Sequence, residues 1–272
     1  MVPADRKLYA LRDVSGTVPS IPLICASIMS KKLAENLDAL VLDVKWGSGA
    51  FMRKQQDART LAQAMVDTGA RMGVKTTALL TDMNQPHGRM AGNAVEVNES
   101  VAILAGKGPA DVVEICFALA SELLLSAGIE KTAEAAKKRL QALIDSGAAL
   151  EKFREMVDAQ GGDLDEERHV APASEVTAAK PGYASAMNVE QLGFAIIELG
   201  GGRKRLGDNL DFSTGLEMLV RLGERVEKGQ PLVRVFAHHD KAEIARRMVA
   251  EAITISDEPI KAPPLIVERI KP

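Results

Sequence analysis

Residues 38–81 read DALVLDVKWGSGAFMRKQQDARTLAQAMVDTGARMGVKTTALLT, and three changes of texture within them decide the fold. Residues 38–45 are a short apolar run with β-branched members that stops at Gly47-Ser48-Gly49, as a buried strand does on entering a tight loop. In residues 55–68 the apolar side chains Ala58, Leu61 and Met65 recur at helical spacing, and Gly69 is expected to close that helix. Residues 75–81 form a second apolar run, ending at Asp82 before the turn signal Gln85-Pro86-His87-Gly88. Strand, loop, helix, strand is a βαβ unit with a parallel sheet. Ligands of such sheets bind beyond the carboxyl ends of the strands, so chemistry is expected in the loops at 46–51 and 82–93.

Toward the N-terminus, residues 9–32 read YALRDVSGTVPSIPLICASIMSKK. Ser20 is placed to cap a helix, Pro22 falls in its first turn, and no glycine or proline interrupts residues 23–36. Ser27 and Lys31 then stand at i and i+4 on one face, beside Ile24 and Ile28. Arg12 precedes them with a planar guanidinium suited to a carbonyl-bearing ring. Two readings of this helix stand side by side. Arg12, Ser27 and Lys31 converge on a flat ligand, or Ile24, Ile28 and Leu33 are core while Lys31 reaches to water.

Toward the C-terminus, residues 95–157 are helical almost throughout, with breaks at residues 106–109 and near Gly128. A glycine pair, a charged stretch and a proline with alanines mark a linker at 161–175. Gly200-Gly201-Gly202, with Arg203 after it, ends a helix over 189–199 and reads as a C-cap and turn rather than an anion loop. In residues 216–236, Gly223, Val226, Gly229, Pro231 and Leu232 precede an alternating Val233, Val235 and Ala237, which is hairpin chemistry. This element resembles the turn of lipoyl- and biotin-carrier domains. The carrier lysine is replaced by Ala237-His238-His239-Asp240, so a swinging-arm role is rejected. A final helix over 241–253 leads into a charged tail.

The chain has 272 residues, 46% of them hydrophobic, which suffices for two domains with buried cores. With 34 Lys and Arg against 37 Asp and Glu, the net charge of −3 supplies no basic field and argues against a nucleic-acid partner. No apolar run has the length of a membrane span, and no signal-peptide pattern is read. The two cysteines, Cys25 and Cys116, lie in apolar helical patterns and fit a reducing, cytoplasmic setting. The histidines form no ligand cluster, so a zinc site is not expected.

Four strings, at 9–52, 76–88 (TTALLTDMNQPHG), 91–99 (AGNAVEVNE) and 200–232 (GGGRKRLGDNLDFSTGLEMLVRLGERVEKGQPL), together resemble the thymidine and pyrimidine-nucleoside phosphorylases. The resemblance implies a partial nucleoside phosphorylase α/β domain, an α/β core with helices, followed by a C-terminal α+β domain of barrel-sandwich type. The domains would be a remnant of the helical domain with a base-binding helix (1–36), the α/β domain (37–160), the linker (161–175) and the C-terminal domain (176–272). It implies reversible phosphorolysis of pyrimidine (deoxy)nucleosides to free base and (deoxy)ribose 1-phosphate, by a homodimer, with phosphate as co-substrate and no organic cofactor. Base-binding residues of the family fall on Arg12, Ser27 and Lys31, with Val18, Ile24, Ile28 and Phe51 around the ring. Some members hold a monovalent cation such as K+, and its ligands would be the carbonyls of His87 and Met90 and the carboxylate of Glu99. The family's N-terminal third, with its glycine-rich phosphate loop, is not matched by any segment here. Activity is therefore expected to need that part, for instance as a separately encoded fragment. The alternatives are a non-catalytic binding or assembly module and an inactive remnant of the family.

Overall fold

The computed structural model describes residues 2–205 and 207–272, and within these all side chains but Asp13, Val14, His239 and Asp240. The expected C-terminal motif at 200–232 thus includes one residue, Leu206, outside the described set, and the side chain of His239, next to His238, lies outside it as well.

In chain order the first elements are α1 (Pro3–Ser15), α2 (Ile21–Ala34), β1 (Ala39–Trp46), α3 (Gln55–Arg71), β2 (Lys75–Asp82) and β3 (Met90–Gly92). Four helices follow: α4 (Ala94–Leu104), α5 (Ala110–Ser126), α6 (Ala133–Asp145) and α7 (Ala148–Ala159). Then come β4 (Ala173–Thr177), β5 (Gly182–Met187), α8 (Val189–Leu199), β6 (Gly215–Met218) and β7 (Arg225–Val226). The chain ends with β8 (Pro231–Phe236), α9 (His239–Ala252), β9 (Ile253–Ser256) and β10 (Ile266–Ile270). Contacts gather these into two compact units that are discontinuous in sequence, whereas the division drawn from the sequence was contiguous. Unit 1 is Met1–Asp82, Ile115–Leu140 and Pro264–Pro272; unit 2 is Met83–Glu114 and Gln141–Pro263.

In unit 1, β1 and β2 run parallel with Ala39 opposite Lys75 and Trp46 opposite Asp82. Every residue of β2 after Lys75 is buried, as a strand covered on both faces must be. α2 and α3 supply Cys25, Met29, Ala58, Leu61, Ala62, Met65 and Val66 to one core with Leu40, Val44, Ala78 and Leu80 of the sheet. Gly69 does not close α3, which runs on to Arg71. A Cβ there would stand 1.9 Å from Thr76 Oγ1, so the glycine lets the helix backbone approach β2. The stop is Gly73, at φ +78°, in a Schellman arrangement: Val74 N–H donates to Gly69 O (2.9 Å) and Gly73 N–H to Ala70 O (3.1 Å). Ser20 stands at the N-cap of α2 as expected, but its side chain makes no capping bond.

The charged tail of the sequence is a strand. β10 pairs antiparallel with β2, giving the order β1-β2-β10. Its charges serve the pairing from both faces: Glu268 takes Arg59 Nε in a bidentate bond (3.1 and 3.0 Å), and Arg269 and Lys271 reach Glu122 of α5 (2.8 and 3.4 Å). The Glu122 side chain is 1% exposed, so those cations are what make its burial tolerable.

Unit 2 holds two antiparallel sheets, β3-β6-β8-β4 and β7-β5-β9, around a core of β-strand valines and leucines with Leu192, Ala195 and Leu199 of α8 and Ala245 and Val249 of α9. β6 and β8 pair as the hairpin reading expects, but β7 between them joins β5 in the other sheet. Gly223 (φ +88°) and Gly229 (φ +84°) make the reversals. The expected linker at 161–175 ends inside β4, which pairs with β8, because alternating Val176 finds an apolar face to bury on. The helical stretch 95–157 has a further break at Gly147 (φ +78°). Gly200 caps α8 in the left-handed region, its N–H bonded to α8 carbonyls, so the triple glycine is structural at that point.

Candidate active site

Arg12 lies in the last turn of α1 and is 6% exposed. Gly16, at φ +68°, ends the helix and turns the chain toward α2, and the guanidinium bridges the turn. Its NH2 donates to Val18 O (2.7 Å) and its NH1 to Leu23 O (3.3 Å), while Nε is buried with no hydrogen-bond partner among the described residues. The Tyr9 ring, one turn earlier, sits 5.3 Å from the guanidinium carbon. A buried N–H donor without an acceptor costs about 1–3 kcal/mol.

Arg12 also lines a cavity of about 410 Å³ within unit 1. The cavity brings together Arg12, Val18, Ile24, Ser27, Ile28 and Phe51, which are six of the seven residues the sequence named for the base. Met52, Leu61 and Met65 add to a mainly apolar wall that also holds Asp43 and Lys45. The seventh, Lys31, does not line the cavity. Its ammonium is held behind Ser27, donating to Ser27 Oγ (3.0 Å), to Ser27 O (2.7 Å) and to the carboxylate of Asp5. The hydrogen bond from Lys31, with one from Ser27, holds the Asp5 carboxyl below the usual carboxylate range. Asp5 was missed in the sequence because an acidic residue in the first turn of a helix reads as a dipole partner. Tyr9 was missed too, although its place three residues before Arg12 on one helix was a usable signal.

The two loops singled out beyond the strand ends fall in different units. Gly47 (φ +119°) and its neighbours belong to unit 1, where Gly47 N–H donates to Met52 O (3.1 Å) and presents Phe51 at the cavity. The second loop belongs to unit 2. There His87, Met90 and Glu99 line one cavity of about 300 Å³, with Glu96 and Ser100. Glu99 accepts from Arg89 N–H (2.8 Å) and Met90 N–H (3.4 Å). Gly88 sits at φ +69°, and a Cβ on it would stand 2.3 Å from Glu99 Oε2, so the missing side chain leaves a cradle for the carboxylate. Carboxylate and carbonyl oxygens are a donor set that suits a monovalent cation. Burial, with the charge of Glu99 nearby, pushes the Glu96 carboxyl up. Among the described residues no group of three or more His, Cys, Asp or Glu is arranged to hold a metal ion.

Residues 1–150 match the family model described as "Glycosyl transferase family, a/b domain", and residues 183–256 match the "Pyrimidine nucleoside phosphorylase C-terminal domain". The chain belongs to the glycosyl transferase family that this a/b domain describes. It is 42% identical over 276 residues to the pyrimidine-nucleoside phosphorylase of Geobacillus stearothermophilus, covering 99% of this chain and 64% of that protein. To the thymidine phosphorylase of Mycobacterium tuberculosis (strain H37Rv) it is 48% identical over 272 residues, covering 99% of this chain and 62% of the relative. The chain thus spans less than two thirds of the length of these phosphorylases. Among the described residues no helix is long and apolar enough to cross a membrane.

Proposed function

We propose that this phosphorylase-family chain supplies the leaving-base half of a pyrimidine-nucleoside phosphorolysis site: phosphate attacks the anomeric carbon, and the base departs as (deoxy)ribose 1-phosphate forms. The observation that carries the reading is the mainly apolar cavity with Arg12 and Ser27 in its wall. A pyrimidine offers flat apolar faces to Ile24, Ile28 and Phe51 and a carbonyl to Arg12. Negative charge develops on the base as the glycosidic bond breaks, so a preorganised guanidinium stabilises the transition state more than the bound nucleoside. Lys31 acts through Ser27, polarising the hydroxyl whose oxygen it already contacts.

The same reading makes the chain a pentosyltransferase that takes phosphate as co-substrate and no organic cofactor, in the cytoplasm and as a homodimer. The oxygens of His87, Met90 and Glu99 would hold a monovalent cation such as K+, whose charge would help to order the loop at 85–90. The two antiparallel sheets of unit 2 support a barrel-sandwich assignment for the C-terminal part. Phosphate binding needs a further segment, like the part of the relatives this chain does not span. β1 supports this, since among the described residues β2 is its only strand partner and beyond it β1 makes just one bridge, Trp46 to Met52, which leaves an edge for another strand.

Base release from thymidine and from uridine, with phosphate, tests the proposal in the chain alone and mixed with the remaining third of a relative. Turnover in the mixture, falling on the order of 100-fold in Arg12→Ala, is the expected result. Full turnover by Arg12→Ala refutes the site, and full turnover by the chain alone refutes the need for a further segment.

A further inference from the structure

In unit 2 the backbone of residues 86–90 is held at Pro86 O, at Gly88 N–H and O, at Arg89 N–H and O, and at Met90 N–H. One Arg221 nitrogen, NH1, donates to both Pro86 O (2.7 Å) and Gly88 O (2.8 Å), while NH2 binds the Asp111 carboxylate. The same Asp111 oxygen accepts from Gly88 N–H at 3.1 Å. On the other side Glu99 takes the Arg89 and Met90 N–H groups (2.8 and 3.4 Å), and Met218 N–H takes Arg89 O (2.6 Å). Gln85 is tied to the Arg221 segment as well, through Leu222 N–H to its Oε1 (3.0 Å).

We propose that Arg221, fixed by Asp111, is the positioning residue that sets the His87 and Met90 carbonyls for a monovalent cation beside Glu99. The inference rests on the cation reading given above and names what makes that loop rigid enough to serve it. Carbonyls 86 and 88 turn toward the guanidinium, so the chain reverses its peptide direction around His87 between two anchored neighbours. The planar fork is essential, because one group must span two carbonyls and a carboxylate at once, which a lysine ammonium on a flexible stem does not reproduce. Arg221 touches no ligand itself. It acts on the oxygens that would.

Thermal unfolding of the wild-type chain in KCl, against choline chloride at equal ionic strength, gives the K+ midpoint without any activity measurement. The wild type is expected to be stabilised by K+, and Glu99→Gln to lose that response. Arg221→Lys and Asp111→Asn are expected to raise the K+ midpoint by about 10- to 100-fold, as loss of an outer-shell partner does. Their melting in choline chloride shows whether they fold, and each variant backs the other if one does not. Wild-type midpoints in folded Arg221→Lys and Asp111→Asn overturn the positioning role and leave the cation reading standing. A wild type indifferent to K+, matched by Glu99→Gln, overturns the cation reading and this inference with it.

Discussion

Gly69→Ala tests the packing of α3 on β2 in unit 1. The added Cβ would stand 1.9 Å from Thr76 Oγ1 and 2.7 Å from Thr76 Cβ. Rotating the threonine moves the hydroxyl but not its Cβ, which the β2 backbone fixes, so relief requires α3 to lift from the sheet. Overpacking costs about 1–3 kcal/mol, the 2.7 Å approach to a fixed Cβ puts this site in the upper part of that range, at about 2–3 kcal/mol, and alanine returns about 1 kcal/mol of helix propensity. The net is a loss of roughly 1–2 kcal/mol, or about 0.5–1 M in urea midpoint at an m-value near 2 kcal/mol/M. The chain has a single tryptophan, Trp46 at the end of β1, so its fluorescence in a urea titration reports on unit 1. Gly193→Ala is the control of opposite sign. Gly193 lies inside α8 with nothing within 4 Å of the added Cβ, so only the propensity gain of about 1 kcal/mol remains, read by circular dichroism. A Gly69→Ala midpoint equal to or above wild type would refute the argument that α3 needs bare backbone against β2.

Two predictions concern pH. The Glu96 carboxyl is raised by burial and by Glu99, so its ionisation opposes folding, with the penalty complete above the raised value and absent below the ordinary carboxylate range. Glu96→Gln, which keeps an acceptor for Gly92 N–H, is expected to melt higher than wild type at neutral pH, and the gap to close in acid. The Asp5 carboxyl is lowered by Lys31 and Ser27, so its stabilising pair is fully present above the ordinary carboxylate range and is lost as pH falls through the depressed value. Asp5→Asn should therefore unfold earlier than wild type at neutral pH by Trp46 fluorescence, and the two should converge at low pH.

The βαβ unit was legible because its period and its breaks are local. β1, α3 and β2 fall within a few residues of the expected bounds, and the misread Gly69 is instructive: a glycine near a helix end signals a cap, and only the distance to Thr76 shows a packing contact. β4 and β10 were read as linker and tail because short strands with charged residues carry no period of their own. They exist because β8 and β2 offer partners. Around the site, the apolar positions and Arg12 followed from the family resemblance, whereas Tyr9, Asp5 and Arg221 did not.

By itself the sequence determined the family, the parallel pair at 38–81 and the set of groups that could meet a pyrimidine. Only the tertiary structure decided how those groups are held: Arg12 tied to the Val18 and Leu23 carbonyls beside the cavity, Lys31 drawn back onto Asp5 and Ser27, and a loop pinned by an arginine more than 130 residues away in the chain. The reason is physical. Residue type sets what a side chain can donate, but burial and the distance to partners far apart in the chain set which of its donors are already taken.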